Sequence, residues 1–323
     1  MYNPLVSIII PVFNGSDFLE EAIKSALDQT YKKIEIIVIN DGSCDNGKTE
    51  SVAFKYKDQI NYIVKENGGV SSAFNLGIKN MKGTYFSWLS HDDVYLPNKI
   101  ADQIAYLISN DFINKEIILY SDYDLIDENS ILLKHYKISH TQPEYFKWLI
   151  LTSYPVNGNT VLIPKSCFEK VGLFNEEFKT QQDYDMWVRL ATYFPFIHLQ
   201  KPLIKSRIHM KQGTITMSEL MKKNTSDFYI SYIKSISPNE LLKLSSQTDI
   251  SKVYSMLAIN HSRRKNILVA KYCCKIFKNT DLTFYSYYFL IFRCRIIYSY
   301  KQVRTFTKNI IVNLLPSSKN IFN

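Results

Sequence analysis

A chain of 323 residues, 46% hydrophobic and 21% charged, holds material for about two globular domains and excludes a disordered or collagen-like polymer. Five cysteines without C-x-x-C spacing exclude a disulfide scaffold and a structural zinc site, and they point to a reducing compartment. The net charge of +9 is uneven: residues 1–260 carry 27 Lys and Arg against 29 Asp and Glu, whereas residues 261–323 carry 12 against Asp281 alone.

The first stretch, MYNPLVSIIIPVFN, has no basic leader and its apolar run breaks at Pro11, which predicts a strand rather than a signal peptide. Further continuous apolar runs follow at Ile34–Ile39, Ile60–Val64, Thr84–Leu89 and Ile117–Tyr120. Continuous rather than alternating runs predict strands covered on both faces. Helical spacing lies between them. Phe18, Leu19, Ala22, Ile23, Ala26 and Leu27 repeat at three to four residues, with Asp17 and Glu20 placed to cap the start. Pro97 stands where a first helical residue belongs, ahead of Ile100, Ile104 and Leu107. Alternating strands and helices predict an α/β domain, mostly parallel, with ligands at the carboxyl ends of its strands. That rim would hold Pro11, Val12, Phe13 and Asn14, then Asp41–Ser43, then Ser90–Asp93.

Beyond about residue 121 the alternation fails. Ile131–Tyr136, Thr160–Ile163 and Leu203–Ile208 read as strands, and Glu144–Leu151 and Tyr184–Phe194 as helices. From about residue 216 the pattern is helical, with loops at Ser235–Pro238 and Ser245–Asp249. We therefore divide the chain into 1–215 and a basic, aromatic-rich helical region, 216–323. No window reaches 18 apolar residues; the run Phe284–Phe292 stops at Arg293, so no spanning helix is expected.

Four stretches carry candidate chemistry. Asp41, Asp92 and Asp93 are carboxylates at strand ends, suited to bind a base or ribose, or a divalent cation with a diphosphate. Turn and cap roles are the alternative. Gly42–Thr49 matches G-x-x-x-x-G-K-[ST] and follows a strand, but Asp45 would put a negative charge in the phosphate cradle. Its other reading is a turn before a helix with an exposed Lys48. In Gln181–Leu190, Trp187, Leu190, Ala191 and Phe194 form one stripe, read as core, and Asp183 is either a helix cap or a general base. Arg207 and His209 alternate onto one face and suit a phosphate.

Taken in order, Val6–Asn14, Ile37–Ser43, Glu66–Ser71, Asp92-Asp93-x-x-x-Pro97 and Gln182-Asp183 resemble the family 2 glycosyltransferases with the GT-A fold, over roughly residues 4–215. The resemblance implies a Rossmann-like sheet flanked by helices and inverting transfer from a nucleotide-sugar donor, usually a UDP-sugar. It implies that Pro11–Asn14, Asp41, Asn67 and Asp92 hold the nucleotide, with Asp41 facing the base. Asp92 and Asp93 would bind Mn2+ or Mg2+, with Asp93 the direct ligand and His209 available to join them. Asp183 would deprotonate the acceptor hydroxyl, and Arg207 and His209 would close over the diphosphate. A glycan or lipid-linked acceptor in surface-polysaccharide synthesis is expected, in the cytoplasm or on its membrane face. The tail 261–323 would then contact anionic membrane, and no nucleic acid is expected. Two alternatives are a phosphate-loop NTPase using Gly42–Thr49 and a non-catalytic nucleotide-sugar-binding module.

Three positions depart from the family pattern. Ser90 replaces a common acid, which leaves the number of carboxylate ligands open and makes His91 an alternative ligand. Phe74 replaces a common Arg before Asn75. Gln182 replaces a common Glu before Asp183, a neighbour that would raise the Asp183 pKa less than a like charge would.

Overall fold

A computed structural model describes residues 2–153, 156–280 and 289–299. The parts of the basic tail at 281–288 and 300–323 lie outside the described residues. Two compact units divide the chain, one of residues 1–150 with 154–218, the other of residues 151–153 with 219–323.

Among the described residues nine strands of the first unit form one sheet: β1 (Val6–Val12), β2 (Ile34–Asp41), β3 (Asn61–Lys65), β4 (Tyr85–Trp88), β5 (Val94–Tyr95), β6 (Ile118–Ile126), β7 (Leu132–Tyr136), β8 (Leu162–Pro164) and β9 (Phe196–Arg207). The order is β3-β2-β1-β4-β8-β6-β9-β5, with β7 paired to β6. Among the strands run α1 (Leu19–Leu27), α2 (Lys48–Phe54), α3 (Val70–Asn80), α4 (Lys99–Ser109), α5 (Phe146–Thr152), α6 (Lys165–Val171) and α7 (Gln182–Leu190), and α8 (Gly213–Thr216) follows them.

All seven residues of β1 are buried, because β2 and β4 flank it in parallel and helices cover its faces. Fully burying each of Ile8, Ile9 and Ile10 contributes about 1.5–3 kcal/mol. Helix α1 turns Leu19, Ala22, Ile23 and Ala26 into this core, the spacing expected of one helix face. The α/β class stands, but the sheet is mixed. β1 to β4 run parallel to one another, as do β6 and β9, whereas β5, β7 and β8 run antiparallel to their neighbours. A tight connection explains β7: Asp127 N–H bonds Ile131 O, and Asp127 Oδ1 accepts from Asn129 and Ile131, closing a hairpin on β6.

Three local expectations are corrected. The strand β3 is an edge strand with exposed Val64, not one covered on both faces. Asp17 does not cap α1; Phe18 stands at the cap, and the Asp17 carboxylate pairs with Lys211 Nζ at 2.6 Å. Pro97 precedes the cap residue Asn98 of α4 rather than opening the helix, and its carbonyl accepts from Thr30 N–H.

The second unit is helical: α9 (Ser218–Ser235), α10 (Pro238–Ser245), α11 (Ile250–Arg263), α12 (Ile267–Lys278) and a helical stretch over 289–299. Its caps follow from sequence. The Ser237 hydroxyl accepts from Glu240 N–H ahead of Pro238, and Asp249 accepts from Ser251 N–H. Among the described residues no helix is long and apolar enough to cross a membrane.

Candidate functional site

Parallel pairing of β1, β2 and β4 puts their carboxyl ends on one rim. Pro11 and Val12 lie buried within β1, so they support the rim from beneath, while Phe13 is exposed above it. Asn14 takes a left-handed backbone (φ 49°) and locks onto the next loop. Its N–H donates to Ser43 Oγ at 2.9 Å and its Oδ1 accepts from Cys44 N–H at 2.8 Å. Asp41 ends β2 and is buried. Its Oδ1 meets Lys65 Nζ at 2.7 Å and Gly68 N–H at 3.0 Å, and its Oδ2 takes Gly69 N–H at 2.7 Å. Asn67 Nδ2 donates to the Asp41 carbonyl at 2.8 Å. Asp41 thus anchors the 66–69 turn, and contact with a base, the role expected of it, would exchange one of these bonds. Gly42 is required beside it: at φ +70° a Cβ would stand 2.6 Å from Asn67 N.

The phosphate-loop alternative fails on geometry. Asp45 fills the centre of the 42–49 loop, where its Oδ2 accepts both Thr49 N–H (2.9 Å) and Thr49 Oγ1–H (2.7 Å). Thr49 is fully buried and also accepts from Gly15 N–H, while Lys48 is exposed on the first turn of α2. A negative cap with a buried hydroxyl does not cradle phosphates.

The acids after β4 part company. Asp93 is buried with both oxygens engaged: Oδ1 accepts from Arg207 N–H at 2.6 Å, and Oδ2 from Asn159 Nδ2 at 2.5 Å. Burial, then the nearby Asp92 charge, push its pKa well above the usual carboxylate range. Each Asp93 oxygen therefore already accepts one hydrogen bond inside the protein. Asp92 faces outward instead, with Oδ2 3.0 Å from His209 Nε2, and its Oδ1 has no hydrogen-bond partner among the described residues. Arg207 ends β9 only 3% exposed, and its guanidinium makes several bonds within the protein. It donates to Asp92 O, Asp127 O, Glu128 O and Ser130 Oγ, and it pairs with Glu21 at 2.5 Å. His209, its ring tilted at 60° to the Phe18 ring with centroids 4.8 Å apart, stays on the rim. His91 is half-buried against Gly15, where a Cβ would meet its ring at 2.3 Å, and burial lowers its pKa.

Asp183 is the second residue of α7 rather than its cap; the cap position belongs to Gln181, in a left-handed conformation (φ 67°). The Asp183 Oδ1 accepts from Tyr184 N–H at 2.9 Å. Burial pushes its pKa up to about 6, opposed by backbone hydrogen bonds. One turn on, the fully buried Trp187 packs against Trp88 at the end of β4 (ring centroids 6.4 Å), so the stripe is core as read. Phe74, in place of the common Arg, stacks on Phe174 and packs on Trp88.

Sequence reading missed Asn159. Its Oδ1 accepts from Ser90 N–H at 2.5 Å while its Nδ2 donates to Asp93 and to Asn157 Oδ1, so one buried amide holds the 90–93 turn. The Asn157-Gly158-Asn159 triplet reads only as a turn. A Cβ at Gly158 would come within 2.5 Å of the Trp88 ring.

Among the described residues no three His, Cys, Asp or Glu side chains converge on a cation. Asp92 and His209 offer one oxygen and one nitrogen side by side. Divalent cations of the magnesium type take one or two carboxylates beside substrate phosphates, and Asp92 offers one such carboxylate.

The sequence profile of Glycosyl transferase family 2 matches residues 7–156, the segment that holds the Asp41 and Asp92 loops. An uncharacterized glycosyltransferase of Rickettsia prowazekii is 46% identical over 253 residues, 77% of either chain. The chain spans 40% of the length of other Rickettsia relatives that it matches at the same identity. Two solved structures share the fold. TarS 1–349 of S. aureus, in complex with UDP-GlcNAc, aligns at TM-score 0.57 and 18% identity, covering 79% of this chain and 72% of that one. The mannosyltransferase PcManGT of Pyrobaculum calidifontis, in complex with GDP-Man and Mn2+, aligns at 0.58 and 14%, covering 100% and 88%. A strand-end rim carrying an Asp–His pair agrees with the sequence likeness across three quarters of a relative, and the chain belongs to glycosyl transferase family 2.

Proposed function

We propose that the protein is an inverting glycosyltransferase that moves a sugar from a nucleotide-sugar donor to a hydroxyl of a glycan or lipid-linked acceptor. The observation that carries this reading is the pairing of Asp92 with His209 on the rim that Asn14 and the Asp41-anchored turn also line. The nucleotide would lie over Phe13, Asn14 and the 66–69 turn, with Asp41 fixing that turn. Asp92 and His209 would hold Mn2+ or Mg2+. A divalent cation bound there supplies charge neutralisation to the departing diphosphate.

A sugar hydroxyl is a poor nucleophile at neutral pH, so its proton must be taken as it attacks. Asp183 suits that role. Its pKa of about 6 leaves it ionised at neutral pH, yet basic enough to accept a proton. Attack from the face opposite the diphosphate inverts the anomeric centre. UDP and GDP are both candidate nucleotides, since structures of this fold hold UDP-GlcNAc and GDP-Man. The five free cysteines suit a reducing, cytoplasmic setting. Assembly of a surface polysaccharide is the role we favour.

The test is donor hydrolysis or transfer across a panel of UDP- and GDP-sugars with manganese, with NMR of the new anomeric bond. Inverted product from one donor, lost in Asp183→Asn, supports the reading. Retained configuration, or full activity in Asp183→Asn, would sink it.

A further inference from the structure

The helical stretch 289–299 has two unlike faces. Leu290 and Cys294, one turn apart, are each 4% exposed and pack inward. On the other side Phe289, Phe292 and Ile296 stand 66%, 61% and 51% exposed. Their spacing of three and then four residues makes one outward stripe. Arg293 lies within that stripe and Arg295 beside it, both exposed. In α12, Lys271, Lys275 and Lys278 share another exposed face. No residue of 261–280 or 289–299 is acidic.

We propose that the exposed face of 289–299 docks on an anionic lipid bilayer. Phe289, Phe292 and Ile296 enter the headgroup–acyl boundary while Arg293 and Arg295 meet lipid phosphates. Amphipathic helices with an aromatic apolar face and basic flanks bind in this way. Charge selects this occupant over others. A second copy, pairing the same face about a twofold axis, would set arginine against arginine with no acid to balance them. The chain's own residues 300–323 add Lys301, Arg304, Lys308 and Lys319 and no acid, so they too fail to neutralise the face. A nucleic acid would stack bases on Phe289 and Phe292 but leave Ile296 without a partner, whereas a bilayer takes all three apolar side chains. The inference does not rest on the donor reading; it concerns a different unit.

Co-sedimentation of the full chain with phosphatidylcholine vesicles, with and without phosphatidylglycerol, tests it. Binding is expected only with phosphatidylglycerol and weakens with salt. Phe292→Ser with Ile296→Ser should reduce partitioning at least about tenfold, from the apolar area withdrawn. Arg293→Gln with Arg295→Gln should reduce it roughly 25-fold, at about fivefold per basic residue. Circular dichroism and UDP titration of the same samples show that each variant is folded and report separately on the donor site. Equal sedimentation without phosphatidylglycerol, or unchanged sedimentation of the serine variant, overturns the proposal. So does light scattering that shows a dimer lost in the serine variant, or binding to an RNA oligonucleotide in place of vesicles.

Discussion

His209 Nε2 and Asp92 Oδ2 lie 3.0 Å apart although 117 residues separate them in the chain. The contact joins the turn after β4 to the end of β9, and it makes Asp92 the outward carboxylate of the pair while Asp93 turns in. The two acids should therefore answer differently to the same substitution. Asp93→Asn gives Asn159 Nδ2 an amide donor where it needs an acceptor, and it should cost about 1–3 kcal/mol of stability. Asp92→Asn should cost less stability than Asp93→Asn while removing manganese-dependent nucleotide binding. Thermal melts and titrations of both variants check the split; equal loss of stability would contradict it.

Asn159 tests how the turn is held. Asn159→Ala removes both the acceptor for Ser90 N–H and the donor to Asp93. Supports of this kind, one shell behind a metal ligand, typically carry 10- to 100-fold in affinity or activity. We expect a manganese affinity lower by about that factor, with the fold intact by circular dichroism. Unchanged affinity would show that the turn holds its shape without Asn159.

The pKa of Asp183 sets a pH dependence with a definite sign. A base with a pKa of about 6 is protonated below it, so turnover should fall about tenfold per pH unit beneath 6 and level off above about 7. Stability runs the other way. The folded pKa lies above the ordinary carboxylate value, so the folded state binds the extra proton. The group's contribution is fully present below about pH 4 and is lost as pH rises through 6. Asp183→Asn should abolish turnover and remove that part of the pH–stability curve. Melts from acid to neutral pH, compared with the wild type, check it.

Arg207→Lys tests whether Arg207 serves the fold or a phosphate. The lysine keeps a charge but cannot reach Asp92 O, Asp127 O, Ser130 and Glu21 together. We expect a loss of about 1.5–3 kcal/mol, the range for hydrogen bonds to a charged group. Equilibrium denaturation measures it. Full stability with weaker nucleotide binding would restore Arg207 to the site.

The strands and their ligand rim were legible because continuous apolar runs such as Val6–Ile10 and Ile36–Ile39 have one comfortable place, the middle of a covered sheet. Asp41 and Asp92 could be singled out because each ends or follows such a strand, and Asp183 because it opens a helical stripe. What stayed hidden was direction. Whether Asp92 or Asp93 points outward depends on Asn159 and Arg207, which lie 66 and 114 residues from Asp93. The antiparallel strands were equally opaque: Leu162–Pro164 reads as a short apolar run, and only its partners on both sides decide its sense. Arg207 looked like a phosphate ligand because sequence shows its charge and not the carbonyls that consume it.

The most direct measurement is calorimetric titration of UDP into the wild type and Asp92→Ala, with and without manganese. Binding that needs manganese in the wild type is expected to vanish in Asp92→Ala, with the fold retained by circular dichroism. Manganese-dependent binding that survives in Asp92→Ala would contradict it.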